Sequence, residues 1–322
     1  MLYLNTGTGP RHTWTDHEAP LHNAVWLDLK NPTDEERAAA ERATGLMVPS
    51  KADLAEVESS SRLGREGDTL YLSMPMSYRG PDGMSATAPL GFVLSPRHLL
   101  TIRFSDLPAF DTFAERFATG SEKGSCGAFI GLLEAIVDRL ADALEHVGGE
   151  LDATSRRVFG PHNARGNMAK MDLELRETLQ AVGQAGERLS KIRDSLLGLQ
   201  RIALYVHDVA ADWLPKELAP RLLTARQDIA SLADYDTQLS NKVQFLLDAT
   251  LGFINIEQNN GIKVLTVVSV VGVPPTLVAS MYGMNFKNIG EYDWAYGYQW
   301  GLTLIVLSAV LPLLWFKRKG WI

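Results

Sequence analysis

The chain has 322 residues, 46% of them apolar, and a formal charge of −7, a size that fits one large domain or two smaller ones. The charge is uneven: from Lys263 onward five basic residues face two acids, a net of +3, so residues 1–262 carry −10. So acidic a block excludes a nucleic-acid binder, whose phosphate contacts need lysine and arginine, and the single cysteine, Cys126, excludes an intramolecular disulfide or a Cys-based zinc cluster.

Met1 to Pro10 is polar and lacks an apolar stretch behind basic residues, so no signal peptide is expected and the N-terminal part is placed in the cytoplasm. Residues 24–30, 69–77, 88–95 and 98–104 read as strands, short and bounded by Gly, Pro and Asp. Pro32 to Glu36 opens a helix with Thr33 or Asp34 as cap. A second helix starts at Ser50, three residues before Asp53, a capping-box spacing. Strands mixed with helices predict a cytoplasmic α/β domain over 1–125. His12, His17 and His22 stand five apart, which suits neither one helix face nor one strand face; they read as loop residues, not ligands. Cys126 reads as a small core residue.

From Phe129 the pattern is helical. Apolar residues at 129, 132, 133, 136, 140, 144, 147 and 151 form one stripe, with Glu134, Asp138, Asp142 and Glu145 on other faces. Gly160-Pro161 ends that helix, and a second runs from about Met168 to Val209, completing a helical region over 126–220. No proline falls between Pro220 and Pro274. Ala225, Ile229, Leu232, Leu239, Val243, Leu246 and Phe253 then step by fours and threes, with Asp236 and Thr250 filling two slots. This predicts a stalk helix over 221–263, continuous with the apolar run that starts at Val264, and a seam that packs against other copies. Unbroken from Arg221 to Met281, the helix is roughly 90 Å long.

Two uncharged apolar runs close the chain, 264–282 and 296–316, and about 20 apolar residues span a bilayer core as helix. The loop between them, 283–295, is short and opens on Gly283-Met284-Asn285. Lys263 precedes the first run and Lys317-Arg318-Lys319 come after the second, in a basic tail over 317–322, while Lys287 alone lies between. The positive-inside rule puts both termini in the cytoplasm and the loop outside. No phosphate loop, zinc-binding His-Glu-x-x-His or serine elbow occurs, so no enzyme is expected.

This constellation resembles the CorA family of divalent-cation transporters. The resemblance is densest over Leu247 to Asn259, Pro274 to Phe286 and the ending Trp315 to Ile322; it is thinner over Val25 to Leu29, Asp53 to Arg62 and Leu99 to Arg103. It implies an α/β cytoplasmic domain, a long stalk helix and two transmembrane helices. It further implies a homopentamer in a bacterial inner membrane, without cofactor, that takes up Mg²⁺ and also Co²⁺ or Ni²⁺. The zinc-transporting branch of the same superfamily is the alternative; a membrane-anchored scaffold without transport is a remote one.

By the same resemblance Gly283, Met284 and Asn285 form the selectivity filter. Counting back from Asn285, the family's pore-facing positions fall on Ser280, Thr276, Val273, Leu265, Ile262 and Asn259, whose spacing fits one helix face. Ser280, Val273 and Ile262 replace residues that are often Gly, Met and Met. Glu291 occupies the place of a loop acid that gathers cations, though Gly290 and Lys287 depart from the usual flanks. Mg²⁺ surrenders its waters reluctantly, so a ring of Asn285 amides suits the hydrated ion, whereas carboxylates would release it slowly. Gly283 is expected to supply the backbone freedom that closes the helix. A divalent ion moving inward gains roughly 4.6 kcal/mol per 100 mV, so passive uptake suffices. The family also closes when cytoplasmic Mg²⁺ binds acids between subunits; none of those acids is matched here. Lys317, Arg318 and Lys319 anchor the tail, and are expected near the acidic face of Glu134, Asp138, Asp142 and Glu145.

Overall fold

The computed structural model describes residues 1–7, 11–14, 21–56, 62–120, 122, 124–160, 168–285 and 290–321, with the side chains of 22, 168–172, 291 and 292 outside that set. Two capping boxes start its N-terminal helices. Thr33 Oγ1 accepts from the Glu36 amide at 3.2 Å and Glu36 accepts from the Thr33 amide at 2.9 Å, opening α1 (Asp34–Thr44). Ser50 and Asp53 repeat the device at α2 (Lys51–Leu54), which stops after one turn.

The strands are β1 (Leu2–Asn5), β2 (His12–Thr13), β3 (Trp26–Lys30), β4 (Leu63–Glu66), β5 (Thr69–Arg79), β6 (Ser85–Leu94) and β7 (Leu99–Arg103). Among the described residues they form one sheet, ordered β2-β1-β3-β7-β6-β5-β4. Only β3 and β7 pair in parallel; the other neighbours are antiparallel. Strands β1, β2 and β4 were not evident from sequence, being too short for a clear alternation. His12 therefore sits exposed in an edge strand and not in a loop. His17 and the side chain of His22 lie outside the described residues.

Both sheet faces are covered. Leu27, Leu29, Leu100 and Ile102 pack with Ala40, Val48 and Leu54 on the face of α1 and α2. The opposite face, with Trp26, Leu72, Leu90 and Phe92, meets α3 (Pro108–Ala118), α4 (Gly124–Phe159) and α5 (Met168–Val209). Gly198 lets α5 come close to β5: a Cβ there would stand 2.7 Å from that of Met74.

The alternation along β3 and β7 also places polar residues on this second face. Asp28 and Arg103 are buried at 0% and 1% exposure. Arg103 grips Asp28 through Nη2 at 2.9 Å and Nε at 3.1 and 3.2 Å, and Thr101 donates to Asp28 at 2.9 Å while accepting from Trp26 Nε1 at 3.0 Å. Arg11 adds a further contact to Asp28 and bonds Asp111 at 2.7 Å.

The long helix α6 (Ala219–Tyr282) is unbroken, as the proline-free interval predicts. Its seam, however, does not wait for other copies. Ala225, Ile229, Leu239, Val243 and Leu246 are buried in the same chain's core, with Val182, Ala185, Leu189 and Leu196 of α5 and Leu144, Val147 and Leu151 of α4. The stripes of α4 and α5 supply the partner faces, so the stepped pattern reports intrachain packing. After α6 come a 3-10 turn (Gly290–Asp293) and α7 (Gly297–Arg318). The chain divides into two compact units, Met1–His162 with Thr178–Leu247, and Asn163–Glu177 with Asp248–Ile322.

Candidate ion pathway

In the first unit two charged contacts fasten α6 to its neighbours. Arg221, in its first turn, holds two carboxylates at once: Glu122 at 2.7 and 2.8 Å, and Glu134 at 2.6 and 3.0 Å. Those bonds raise the Arg221 pKa further above its ordinary value, so this guanidinium stays charged. Lower on the helix, Asp236 is 1% exposed; its Oδ2 accepts from Arg193 Nε at 2.6 Å and its Oδ1 is buried without a partner. Burial raises the Asp236 pKa, with Arg193 opposing. An acid with a raised folded value takes its proton more readily folded, so its contribution is fully present at low pH and is lost as pH rises through that value. Asp236→Asn should remove this slope. Unfolding midpoints of the two chains, compared from neutral pH down to about 4, should shift in the native chain's favour; parallel profiles would contradict it.

In the second unit, α6 from Asp248 and α7 both pass as helices long and apolar enough to cross a membrane. Along α6 from Glu257, the half-covered residues Glu257, Asn260, Val267, Val271, Pro274, Pro275, Val278 and Tyr282 fall along one side, with Gly261 at its edge and Thr266 off it. At about 100° per residue, Ile262, Leu265, Val273, Thr276 and Ser280 lie on the opposite side, with Asn259 nearer the edge. All six are exposed, Ile262, Leu265 and Val273 to 62%, 68% and 59%. Thr276 Oγ1 donates to the Val273 carbonyl at 2.7 Å. The helix continues through Pro274 and Pro275.

The triplet comes immediately after. Gly283 closes the helix without entering the left-handed region. Its amide bonds the Ala279 carbonyl at 2.9 Å, and a Cβ would meet that oxygen at 3.3 Å. Glycine here relieves crowding over the last turn. Met284 is exposed, and Asn285 is exposed and makes no side-chain hydrogen bond among the described residues. Lys287 lies outside the described residues, and so does the side chain of Glu291, whose backbone is in the 3-10 turn.

At the far end of α7, the sequence Lys317-Arg318-Lys319-Gly320-Trp321 closes as a Schellman turn. Gly320 has φ 70°, its amide bonds the Lys317 carbonyl at 3.2 Å, and the Trp321 amide bonds the Phe316 carbonyl at 3.1 Å. Trp321 stacks on Phe316 at 5.3 Å. The helix-end glycine is a sequence signal for this cap, one that the expected anchoring role does not use. The Arg221 contacts have no local signal, since their partners are 87 and 99 residues away.

The model of the CorA-like Mg²⁺ transporter protein family matches residues 22–318, nearly the whole chain. The chain belongs to that family. The CorA family is one of transporters and not of enzymes. Magnesium transport protein CorA of Escherichia coli strain K12 is 32% identical over 309 residues, covering 95% of each chain. Its namesake in Sodalis glossinidius is 34% identical over 311 residues, again 95% of each. Among solved structures, the complete CorA magnesium transporter of Methanocaldococcus jannaschii superposes with a TM-score of 0.78 at 19% identity, over 100% of this chain and 99% of that one. Full-length CmaX gives 0.70 at 18% identity, over 99% and 97%. These two likenesses establish the CorA fold from end to end.

Proposed function

We propose that five copies of this chain form a pore in a bacterial inner membrane, through which hydrated Mg²⁺ enters passively, driven by the membrane potential. In this reading 264–282 and 296–316 span the bilayer, the termini are cytoplasmic, and 283–295 is external. Gly283-Met284-Asn285 forms the filter, with the Asn285 amides accepting hydrogen bonds from the ion's water shell. Ser280, Thr276, Val273, Leu265, Ile262 and Asn259 line the path below, and Glu291 gathers cations at the mouth. Cytoplasmic Mg²⁺, bridging acids between neighbouring subunits of the −10 region, closes the pore.

The observation that carries this reading is the two-sided character of α6. Its half-covered side leaves the positions assigned to the pore on the opposite, open side. An apolar throat of Val273, Leu265 and Ile262 between Thr276 and Asn259 stops a hydrated ion until it widens, as a hydrophobic gate does. The test is uptake by vesicles holding the purified chain, with an inside-negative potential and Mg²⁺, Co²⁺, Ni²⁺ or Zn²⁺ outside. Potential-dependent Mg²⁺ entry is expected. Preference for Zn²⁺ would assign the chain to the zinc branch, and no flux of any ion would make it a scaffold.

A further inference from the structure

Among the described residues, many cations that lie between packed elements are occupied, whereas surface ones such as Arg97 and Arg156 are not. Arg103, Arg188, Arg193, Arg221, Lys191 and Lys242 each hold a carboxylate. Lys317, Arg318 and Lys319 are three such surface cations in a row, clustered at the end of α7 beside two tryptophans: all are exposed, and among the described residues none donates a side-chain hydrogen bond or forms an ion pair. Nor are they needed to close the helix. The Trp315, Phe316 and Lys317 carbonyls already accept backbone amides of the Schellman turn. That turn is built on Gly320 at φ 70° and on Phe316, 2% exposed, stacked with Trp321. Lys319 sits over the Trp315 ring at 6.0 Å, and both tryptophans remain about half exposed, at 55% and 42%.

We infer that this turn is a seat for the phosphate of an anionic phospholipid headgroup, an inference that rests on the reading of α7 as a membrane span. Two chemical facts converge there. Tryptophan favours the headgroup level, where its ring is half in hydrocarbon, and clustered lysine and arginine at the end of a span attract anionic lipid. Guanidinium and ammonium groups with unspent donors suit phosphate oxygens. The rival occupant is the acidic face of α4, on which Glu134 is held by Arg221 and Asp142 lies 3.8 Å from Arg139, while Asp138 and Glu145 form no ion pair among the described residues.

The test places the full chain in nanodiscs of mixed phosphatidylcholine and phosphatidylglycerol and measures how far phosphatidylglycerol is enriched in the lipid retained by the protein. Enrichment is expected for the native chain, falling as salt rises. The combined Lys317→Gln, Arg318→Gln, Lys319→Gln variant should lose it, by roughly fivefold in relative affinity per charge. Arg318→Gln alone provides the same readout if the triple variant inserts poorly. Enrichment absent from the native chain, or kept by both variants, overturns the inference. So does a variant that shifts Mg²⁺-dependent closure while its lipid selectivity is unchanged, because the cations then serve the acidic helices. Mg²⁺ flux in the same membranes separates the two proposals: lost flux with retained enrichment refutes the transport reading and leaves the lipid seat standing.

Discussion

Asn285→Ala should abolish Mg²⁺ uptake while the chain still inserts and assembles. The side chain is exposed just past the end of α6 and makes no internal hydrogen bond among the described residues. What it removes is a neutral oxygen, repeated around the proposed pore, that accepts from the ion's water shell without stripping it. Alanine offers no acceptor, and Mg²⁺ would reach the apolar throat with nothing to hold its shell. Flux near background, with an unchanged oligomer by size-exclusion chromatography, is expected. Wild-type flux from an assembled variant would refute the role. Asn285→Asp tests the same chemistry from the other side: a carboxylate ring should bind Mg²⁺ more strongly and conduct more slowly.

The second large effect lies in the sheet. Asp28→Ala should destabilise the first unit by about 3–5 kcal/mol, the usual cost of leaving a buried charge without its partner. Arg103 would lose its bonds to both carboxylate oxygens, and Thr101 would lose its acceptor. Trp26, hydrogen-bonded to that threonine, reports the change through its fluorescence during thermal unfolding. Pairing Asp28→Leu with Arg103→Met should recover part of the loss, because the apolar pair leaves Arg103's charge out of the core. A single variant with an unchanged midpoint, or a double variant worse than the single one, would contradict this account.

The features most legible in sequence depended on neighbours close along the chain. Thr33 and Ser50 announced their helices because a capping box needs only three residues, and the two apolar runs announced themselves by length. Family resemblance added the register from Asn259 to Ser280, which periodicity alone fixes only as a face. What stayed hidden was nonlocal. The seam through Ile229, Val243 and Leu246 reads the same whether its partner is another copy or the chain's own α4 and α5, and only the fold decides. Arg221 looked like any helix-start arginine until Glu122 and Glu134 arrived from distant sequence. Gly283 shows a subtler gap: glycine is readable at a turn, but whether it serves a left-handed torsion or a crowded carbonyl is not.

Pro274 and Pro275 leave the Val270 and Val271 carbonyls without their helical donors, although the helix runs on through both. Those oxygens fall near the middle of the 264–282 run, where in hydrocarbon an unpaired backbone group costs several kcal/mol. Hydrocarbon therefore makes a poor neighbour for this stretch of α6, and because Val271 and Pro275 lie on its half-covered side, a packed element that brings a donor makes a better one. The two prolines mark the depth at which the span is least suited to face lipid.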